Sequence, residues 1–426
     1  MSTADPSAAV EAVFRIESAR LVGGLTRTVG DLGLAEELAQ DALVDALRQW
    51  PVDGIPRNPG AWLMSVAKRK AIDRFRRDKA LEAKYALVGV DVSSLDSADD
   101  ARTTRGPMDD DRLRLMFVAC HPVLAVQARV ALTLRVVGGL TTAEIARAYL
   151  QAEPTVAQRI VRAKKSIADA GVKFEVPAGD ELATRLASVL EVIYVIFNEG
   201  YSATAGQDWL RADLCGEALR LGRLLAALAA GESEAHGLVS LMEIQSSRLA
   251  ARVGPGGEPI LLLDQDRRQW DPLLIGRGLA ALDRAIALAP TPGPYVLQAA
   301  IAACHARAVR AADTDWQEVA RLYGVLATVM PSPIVELNRG VALSMAYGPT
   351  AGLDLVDQLR DTRLLDGYHL LHSVRGDLLA KLDRHAEATI EFDLAAELAR
   401  NEAERRLSST RADASRARAE LLDHPP

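Results

Sequence analysis

Basic side chains are the residues of this sequence whose types and spacing favour a particular chemistry. Eight Lys and Arg residues, against two Asp residues, occur from Arg57 to Lys79. A second run, from Thr155 to Lys165, contains basic residues and no acidic residue. Clustered cations bind the phosphates of nucleic acids, although a merely solvated helix face is the alternative explanation for such a cluster. The sequence therefore predicts two phosphate-binding segments.

The second cluster lies in a predicted helix-turn-helix. Apolar spacing predicts helices over Thr141–Leu150 and Pro154–Ala170, joined by a three-residue turn. Thr141 and Glu144 have the spacing of a capping box, and Pro154 suits the first position of a helix. In this motif the second helix enters the major groove. The residues that share one face by their spacing of three and four are Thr155, Gln158, Arg159 and Arg162. An amphipathic helix pair with solvated cations is the alternative.

The first cluster lies in a predicted helix that begins near Trp62 and reaches Lys79. Its apolar residues Met64, Val66, Ile72 and Phe75 are predicted to pack inward. This arrangement leaves Lys68, Arg69, Arg76 and Arg77 available to phosphates or to exposed bases. The two aromatic residues, Trp62 and Phe75, have the chemistry to stack on unpaired bases, but apolar helical positions favour the core for both.

Candidate catalytic residues are few. Cys120 with His121, or Glu199 with Asp264, supply the residue types of an active site, but their spacing fits neither a metal cluster nor a nucleophile with its base. The chain has three cysteines, an odd number and far apart, which indicates neither a disulfide framework nor a paired zinc site. We therefore expect no catalytic residue, no metal and no cofactor, and expect the cysteines to be small buried residues.

The amino-acid composition indicates what kind of fold positions the two basic clusters. The chain has 426 residues, of which 49% are hydrophobic, 25% charged and only 4% aromatic. These values favour several globular, helical domains. The net charge of -7, taken over the whole chain, argues against a nucleic-acid binder. Counted by segment, the charge is positive in the two basic clusters, so the argument does not apply to them. No apolar run is long enough to span a membrane and Met1–Val10 lacks the layout of a signal peptide, so we expect a cytoplasmic protein.

The predicted fold class is all-α. Helical spacing over Ala8–Arg27, Leu34–Trp50 and Asn58–Arg77 indicates a helical bundle, with Pro51 closing the second helix. Gly89–Asp111 carries seven Asp residues against two Arg residues and reads as a solvated tether. The predicted segments are the bundle (1–80), an acidic linker (81–110), the helix-turn-helix domain (111–175), a helical extension (176–270), helical repeats (271–410) and a tail (411–426).

The last third of the chain contains a degenerate repeat. Small and large residues alternate similarly in Gly278–Pro290 and Ala386–Arg400, and Gly340 and Gly376 lie 36 residues apart. These features resemble tetratricopeptide repeats, in which small residues let paired helices approach. Before the repeats, Val253–Asp266 is the one segment with the character of a short strand or of a buried loop.

The order of these parts resembles a bacterial RNA polymerase sigma factor of the extracytoplasmic-function (ECF) type. Three runs carry the resemblance: DLGLAEELAQDALVDALRQW (Asp31–Trp50), NPGAWLMSVAKRKAIDRFRR (Asn58–Arg77) and GLTTAEIARAYLQAEPTVAQRIVRAKKSI (Gly139–Ile167). They are similar to regions two and four of the family, and the similarity covers about residues 8–170. The resemblance implies promoter-specific initiation with core RNA polymerase and promoter DNA as partners.

The resemblance also implies residue roles. Glu36, Glu37, Gln40 and Asp41 correspond to the residues that dock on the clamp helices of the polymerase. The residues implied at the minus-ten element are Asn58, Lys68, Arg69, Arg76 and Arg77. Those implied at the minus-thirty-five element are Thr155, Gln158, Arg159, Arg162, Lys164 and Lys165. Leu38, Leu43, Leu47 and Trp50 are expected to hold the bundle together.

The rest of the chain resembles a narrower subset of the family with a long C-terminal, tetratricopeptide-like extension. Three motifs are similar to hallmarks of that subset: MFVACHPVL (Met116–Leu124), YVIFNEGYSA (Tyr194–Ala203) and LLLDQDRRQWD (Leu261–Asp271). We expect the extension to regulate the sigma domains or to dock another protein, without a membrane or small-molecule substrate. The alternative is a conventional helix-turn-helix regulator fused to a peptide-binding repeat module.

Overall fold

The computed structural model describes residues 6–85, 107–149, 151–202, 210–254 and 258–423. The predicted all-α fold is confirmed, since the described residues form helices and no named strand. The chain divides into two compact units, a first that ends at Val192 and a second that begins at Ile193. The division into six segments stays a prediction. In the described part of the chain, no helix combines the length and the hydropathy needed to cross a bilayer.

The first unit begins with three long helices. These are α1 (Pro6–Val29), α2 (Leu32–Asp53) and α3 (Pro59–Tyr85). The Asp31 carboxylate starts α2 by accepting a hydrogen bond from the amide of Leu34 at 2.6 Å. The expectation that Pro51 closes this helix is wrong, because α2 continues to Asp53 and ends where Gly54 adopts a φ of +84°. Pro51 has no amide hydrogen, so the last turn of α2 lacks one backbone hydrogen bond.

The core of these three helices is formed mainly by small and aliphatic residues. Leu25, Leu38 and Leu63 are buried, and the ring of Trp50 meets the ring of Trp62 edge to face at 5.3 Å. Fully buried positions on α3 recur at Leu63, Ala67 and Ala71. The residues expected to pack inward, Met64, Val66, Ile72 and Phe75, are half-buried, as are Leu43 and Leu47 on α2. Helix α3 therefore has one narrow buried stripe, and much of its remaining surface is exposed.

The first unit continues through α4 (Pro107–Ala119), α5 (Val126–Val136), α6 (Thr142–Ala148) and α7 (Glu153–Asp169). The capping box is confirmed: the Thr141 hydroxyl accepts from the Glu144 amide at 3.1 Å, and the Thr141 amide donates to the Glu144 carboxylate at 2.7 Å. Helix α7 begins at Glu153, one residue before the predicted start. Leu150, predicted to end the preceding helix, lies outside the described residues. The α6–α7 pair positions the second basic cluster.

The rest of the described chain is also helical. Helix α8 (Asp180–Tyr201) contains the boundary between the units. The second unit adds α9 (Ala212–Leu228), α10 (Ser233–Ser247), α11 (Pro272–Leu288), α12 (Pro294–Arg307), α13 (Trp316–Val329), α14 (Pro333–Tyr347), α15 (Pro349–Asp361), α16 (His369–Ala380), α17 (His385–Leu398) and α18 (Glu402–Asp423). Within Val253–Asp266, the segment predicted to be a short strand or a buried loop, the described residues form no named strand, and an isolated antiparallel bridge joins Val253 to Pro259.

Small residues bring successive helices of the second unit together. A Cβ placed on Gly376 would lie 2.7 Å from Cε1 of Phe392, and one on Gly340 would lie 3.0 Å from Cγ2 of Val356. These approaches are closer than an alanine accepts without movement of its neighbour. Close helix packing therefore explains why glycine occurs at both positions of the predicted repeat. The classification of these helices as tetratricopeptide-like stays a prediction.

Candidate nucleic-acid interface

Helix α3 divides its cations between two directions. On the side toward α2, Lys70 pairs with Asp45 at 2.9 Å and Arg74 pairs with Glu37 at 2.8 Å. The other side exposes Lys68, Arg69, Arg76 and Arg77. Among the described residues these four form no ion pair, and Arg77 donates only to the backbone carbonyl of Asp73 at 3.2 Å. Four of the five residues predicted to contact the minus-ten element are thus exposed cations that form no ion pair with the described residues.

Asn58 has a local structural role. Its side-chain oxygen accepts a hydrogen bond from the amide of Ala61 at 3.1 Å, which caps the first turn of α3. The residue is exposed. Its predicted contact with DNA stays a prediction, and the cap explains independently why an asparagine precedes Pro59.

The predicted minus-thirty-five residues on α7 separate into two groups. The helix buries Val156, Ile160, Ala163 and Ile167, which leaves Thr155, Gln158, Arg162 and Lys165 together on the exposed side. Arg159 is half-buried and donates to the side-chain oxygen of Gln151 at 2.7 Å. Lys164 points toward α2, where its ammonium group contacts the Glu36 carboxylate. Four of the six residues therefore form one continuous surface, and two are engaged within the protein.

Glu36 is the centre of a charge cluster between α2, α5 and α7. Its Oε1 accepts hydrogen bonds from Nε of Arg135 at 2.6 Å and from Nε2 of Gln40 at 2.7 Å, while Lys164 contacts Oε2. Burial by itself raises the pKa of Glu36, but the charges of Lys164 and Arg135 outweigh it and hold the pKa below its ordinary value. Glu36 is therefore an ionised, buried carboxylate.

The four predicted polymerase-binding residues consequently differ in access. Glu37 and Asp41 are exposed, Gln40 is half-buried, and Glu36 is 5% exposed. The prediction placed all four on one binding surface, and the structure places one of them beneath Arg135 and Lys164. A signal for this was available, because Glu36 falls on the buried stripe of α2 between Leu32 and Ala39.

Cys120 has no properties of a catalytic nucleophile. It is buried, and its sulfur lies 3.2 Å from the Thr133 hydroxyl. Burial raises the pKa of the Cys120 thiol to about 12, so the thiolate is scarce at neutral pH. Glu199, from the second pair of candidate catalytic residues, forms an ion pair with Arg211 at 3.0 Å. No cluster of metal-ligating side chains occurs within the ranges that the structure covers.

A polar network that the sequence reasoning missed holds the MFVACHPVL motif in place. Arg185 on α8 donates to the carbonyl of Phe117 at 2.9 Å, and the Ser188 hydroxyl donates to the carbonyl of Cys120. Arg129 on α5 donates to Glu191 at 2.9 Å. The three α8 residues, Arg185, Ser188 and Glu191, recur every three positions on one helix face, which is the signal that could have revealed them. The motif thus joins α4 and α5 to the start of α8.

Comparisons with known proteins match these parts in order. Residues 14–80 match the model of sigma-70 region 2 and residues 114–167 that of sigma-70 region 4. Residues 185–286 match a family of unknown function (DUF6596).

Three individual proteins illustrate the similarity, and two of them are named as ECF RNA polymerase sigma factors. The chain is 45% identical to an uncharacterized protein of Rhizobium meliloti over 386 residues, 90% of each chain. It is 31% identical to the ECF RNA polymerase sigma factor SigK of Mycobacterium ulcerans over 145 residues, 33% of this chain and 74% of that one. It is 33% identical to the probable ECF RNA polymerase sigma factor SigI of Mycobacterium tuberculosis over 192 residues, 43% of this chain and 62% of that one.

Proposed function

The chain belongs to the ECF RNA polymerase sigma factors, and from this membership we propose that it binds core RNA polymerase and directs initiation at specific promoters in the cytoplasm. The observation that carries the proposal is that α3 and α7 each present cations that the described protein does not neutralise. Exposed cations of this kind bind DNA phosphates. Sigma factors are regulators without catalytic chemistry of their own, so the polymerase supplies the reaction.

Each helix has its own part in this proposal. Arg162 and Lys165, with Thr155 and Gln158, contact the minus-thirty-five element from one face of α7, as the second helix of a helix-turn-helix does in the major groove. Lys68, Arg69, Arg76 and Arg77 hold the minus-ten strands from the exposed side of α3. Glu37 and Asp41 provide the accessible part of the polymerase-binding surface.

We propose that the Glu36 cluster makes the free chain a closed form. While Lys164 contacts Glu36, one carboxylate of the proposed polymerase-binding set is buried and one cation of the proposed minus-thirty-five set is occupied. In this proposal, polymerase first meets the exposed Glu37 and Asp41, and full binding releases α7 from α2. Substituting Lys164 by Gln removes a cation from this contact, so core polymerase should bind more tightly while a minus-thirty-five duplex binds less tightly. A parallel loss of both affinities would contradict the closed form.

Binding to core polymerase tests the central claim directly. We expect charge reversal of Glu37 and Asp41 to Lys in the full chain to abolish co-purification with core polymerase, because both carboxylates are exposed on α2. Asp53→Lys, at the exposed end of the same helix, is the matched control and should bind normally. A full chain that never binds core polymerase contradicts the proposal. The region 2 match over residues 14–80 supports this role over that of a conventional regulator, which needs no polymerase surface.

We further propose that the C-terminal extension regulates the sigma domains or docks a partner protein, as a member of a tetratricopeptide-like subset. Run-off transcription should compare the full chain with a chain ending at Val192, which retains Arg185, Ser188 and Glu191 and hence the network around Cys120. Higher activity of the shorter chain identifies a brake, and lower activity identifies an activator. Equal activity of the two would contradict a regulatory extension.

A further inference from the structure

A cavity of about 450 Å³ lies wholly within the second unit. Its wall includes Tyr194 and Asn198 from the motif YVIFNEGYSA, and Leu262 and Trp270 from the motif LLLDQDRRQWD. These two motifs lie far apart in sequence and have no role in the proposed binding of polymerase or promoter. Their convergence on one cavity gives them a common location. Its volume falls within the range of small-molecule sites, roughly 300 to 1,000 Å³.

The charge of the cavity wall has one sign. No Asp or Glu is among the described residues that line it, whereas Arg248 does line it. The Arg248 guanidinium donates to the side-chain oxygen of Gln245, at 3.0 Å from Nε, and pairs with no described carboxylate. By contrast, Arg223 in the same unit forms an ion pair with Glu243 at 2.7 Å. Arg248 therefore brings a positive charge that the described protein leaves uncompensated.

The neighbourhood of Arg248 strengthens this electropositive character. Arg267 donates hydrogen bonds to the carbonyls of His305 and Ala308 and to the hydroxyl of Thr314, all neutral acceptors, and the carboxylate that acts on its charge, Asp313, does not line the cavity. Burial, then Arg248 and Arg267, lowers the pKa of His305 to about 4. His305 is consequently neutral at neutral pH, and an anion is the species that this end of the cavity favours.

Two buried donors or acceptors at the cavity lack partners. Among the described residues, the indole nitrogen of Trp270, a residue 5% exposed, has no hydrogen-bond partner, nor does Nδ1 of the half-buried His305. Buried polar atoms are ordinarily satisfied, and an orphan in a cavity wall indicates a missing acceptor or donor. Part of the wall is apolar, with Leu241, Ile244 and Ile301 among its residues, and uncharged polar side chains such as those of Gln298 and Asn338 also line it.

We propose that this cavity binds a small organic anion, a carboxylate or sulfonate on an aromatic or aliphatic body. The acid group accepts hydrogen bonds from the Arg248 guanidinium and from the Trp270 indole, and the body packs against the apolar part of the wall. The extension thereby carries a binding site for a small effector. This inference does not depend on the role of the chain in transcription, because its test measures binding only.

The test uses the full chain and a fluorescent probe, anilinonaphthalene sulfonate, which combines an acid group with an aromatic body. We expect the probe to bind with increased fluorescence and to be displaced by naphthoate but not by naphthamide, its neutral analogue. Loss of one charge-assisted hydrogen bond on Arg248→Gln should weaken naphthoate binding by about 10- to 100-fold. Trp270→Phe removes the indole donor and should weaken it by a smaller factor.

Arg268→Gln is the matched control. Arg268 belongs to the same motif but is 90% exposed and pairs with Asp266 at 2.8 Å, outside the cavity wall. Its substitution should leave naphthoate binding unchanged. Arg248→Lys retains the charge, so it should bind better than Arg248→Gln, and circular dichroism establishes that each variant is folded. Equal displacement by naphthamide, equal weakening by Arg268→Gln, or no binding of probe and naphthoate at millimolar concentration overturns the proposal.

Discussion

Helices α3 and α7 both attach to α2, but they do so by different physical means. Helix α3 contributes Leu63, Ala67 and Ala71 to a buried apolar stripe, and its ion pairs with α2 are solvent-accessible. Helix α7 buries its own stripe elsewhere and reaches α2 through Lys164, which contacts a buried carboxylate. Glu37, the partner of α3, has a side chain 57% exposed, whereas that of Glu36 is 7% exposed.

The difference indicates which contact is permanent. Apolar burial contributes stability without requiring ionisation, and its loss is costly under all conditions. A contact that depends on one carboxylate and two cations is weakened when any one of them finds another partner. We therefore expect α3 to stay on α2 throughout the working cycle and α7 to be the helix that leaves.

The largest effect should come from the apolar stripe of α3. Leu63 is 1% exposed, so Leu63→Ala should lower the free energy of unfolding of the first unit by about 3 kcal/mol. Urea denaturation followed by circular dichroism measures this change. Ser65→Ala, at an exposed position of the same helix, is the control and should change stability by less than about 0.5 kcal/mol. A tolerated Leu63→Ala would remove the distinction between the two helices.

The next effect concerns Glu36. Glu36→Gln leaves Arg135 and Lys164, whose side chains are 19% and 21% exposed, without their counter-charge. Because both cations retain some solvent, we expect a loss of about 2 kcal/mol, less than for a fully buried pair. Hydrogen exchange should become faster in α7 and stay unchanged in α3.

A double-mutant cycle provides the control for Glu36. Combining Glu36→Gln with Lys164→Met should recover part of the loss, with a coupling of about 1 kcal/mol. Faster exchange in both helices, or additive effects of the two substitutions, would show that the charge cluster does not hold α7 specifically.

The pH dependence follows from the same carboxylate. Since the pKa of Glu36 is lower in the folded protein than its ordinary value, its contribution to stability is present at neutral pH. The contribution is lost as the pH falls below about 4.5 and through the lowered folded value. The difference in unfolding free energy between the natural chain and Glu36→Gln should therefore shrink on acidification. A difference that is constant from neutral pH to pH 3 would contradict the assignment.

The smallest effect is expected at Glu37. Its pair with Arg74 is solvent-accessible on both sides, at 57% and 41% exposure, so Glu37→Gln should cost less than about 1 kcal/mol. Added salt should reduce even this difference. A cost equal to that of Glu36→Gln would mean that exposure does not separate the two attachments.

Local features were the part of this protein that the sequence predicted well. The Thr141–Glu144 capping box follows from a short spacing, and the structure has it. Of the four residues predicted to share one face of α7, Thr155, Gln158 and Arg162 are exposed, whereas Arg159 is half-buried and bonded to Gln151. Sequence spacing is sufficient to predict such features because every α-helix has about 3.6 residues per turn. Whether the exposed residues contact DNA stays a prediction.

Long-range contacts were not predictable in the same way. Glu36 and Arg135 are 99 positions apart, and no spacing rule links a carboxylate on α2 to a cation on α5. The resemblance to sigma factors likewise placed Glu36 with its exposed neighbours. The convergence of Asn198 and Trp270 on one cavity is of the same kind, since it depends on how α8 packs with the loop before α11. Tertiary packing decides these positions, and it is not encoded in any single window of sequence.

The burial of two cysteines has a consequence for oxidation chemistry. Cys120 and Cys215 are buried, whereas Cys304 is half-buried, so the expectation that all three are buried is wrong for Cys304. Burial raises the pKa of both Cys120 and Cys215 to about 12, and it also raises the pKa of Cys304. Peroxide and alkylating reagents attack thiolates, so we expect Cys120 and Cys215 to react slowly with them in the folded chain. These two thiols should therefore stay reduced through purification in air, and Cys304 is the thiol that a labelling reagent should reach first.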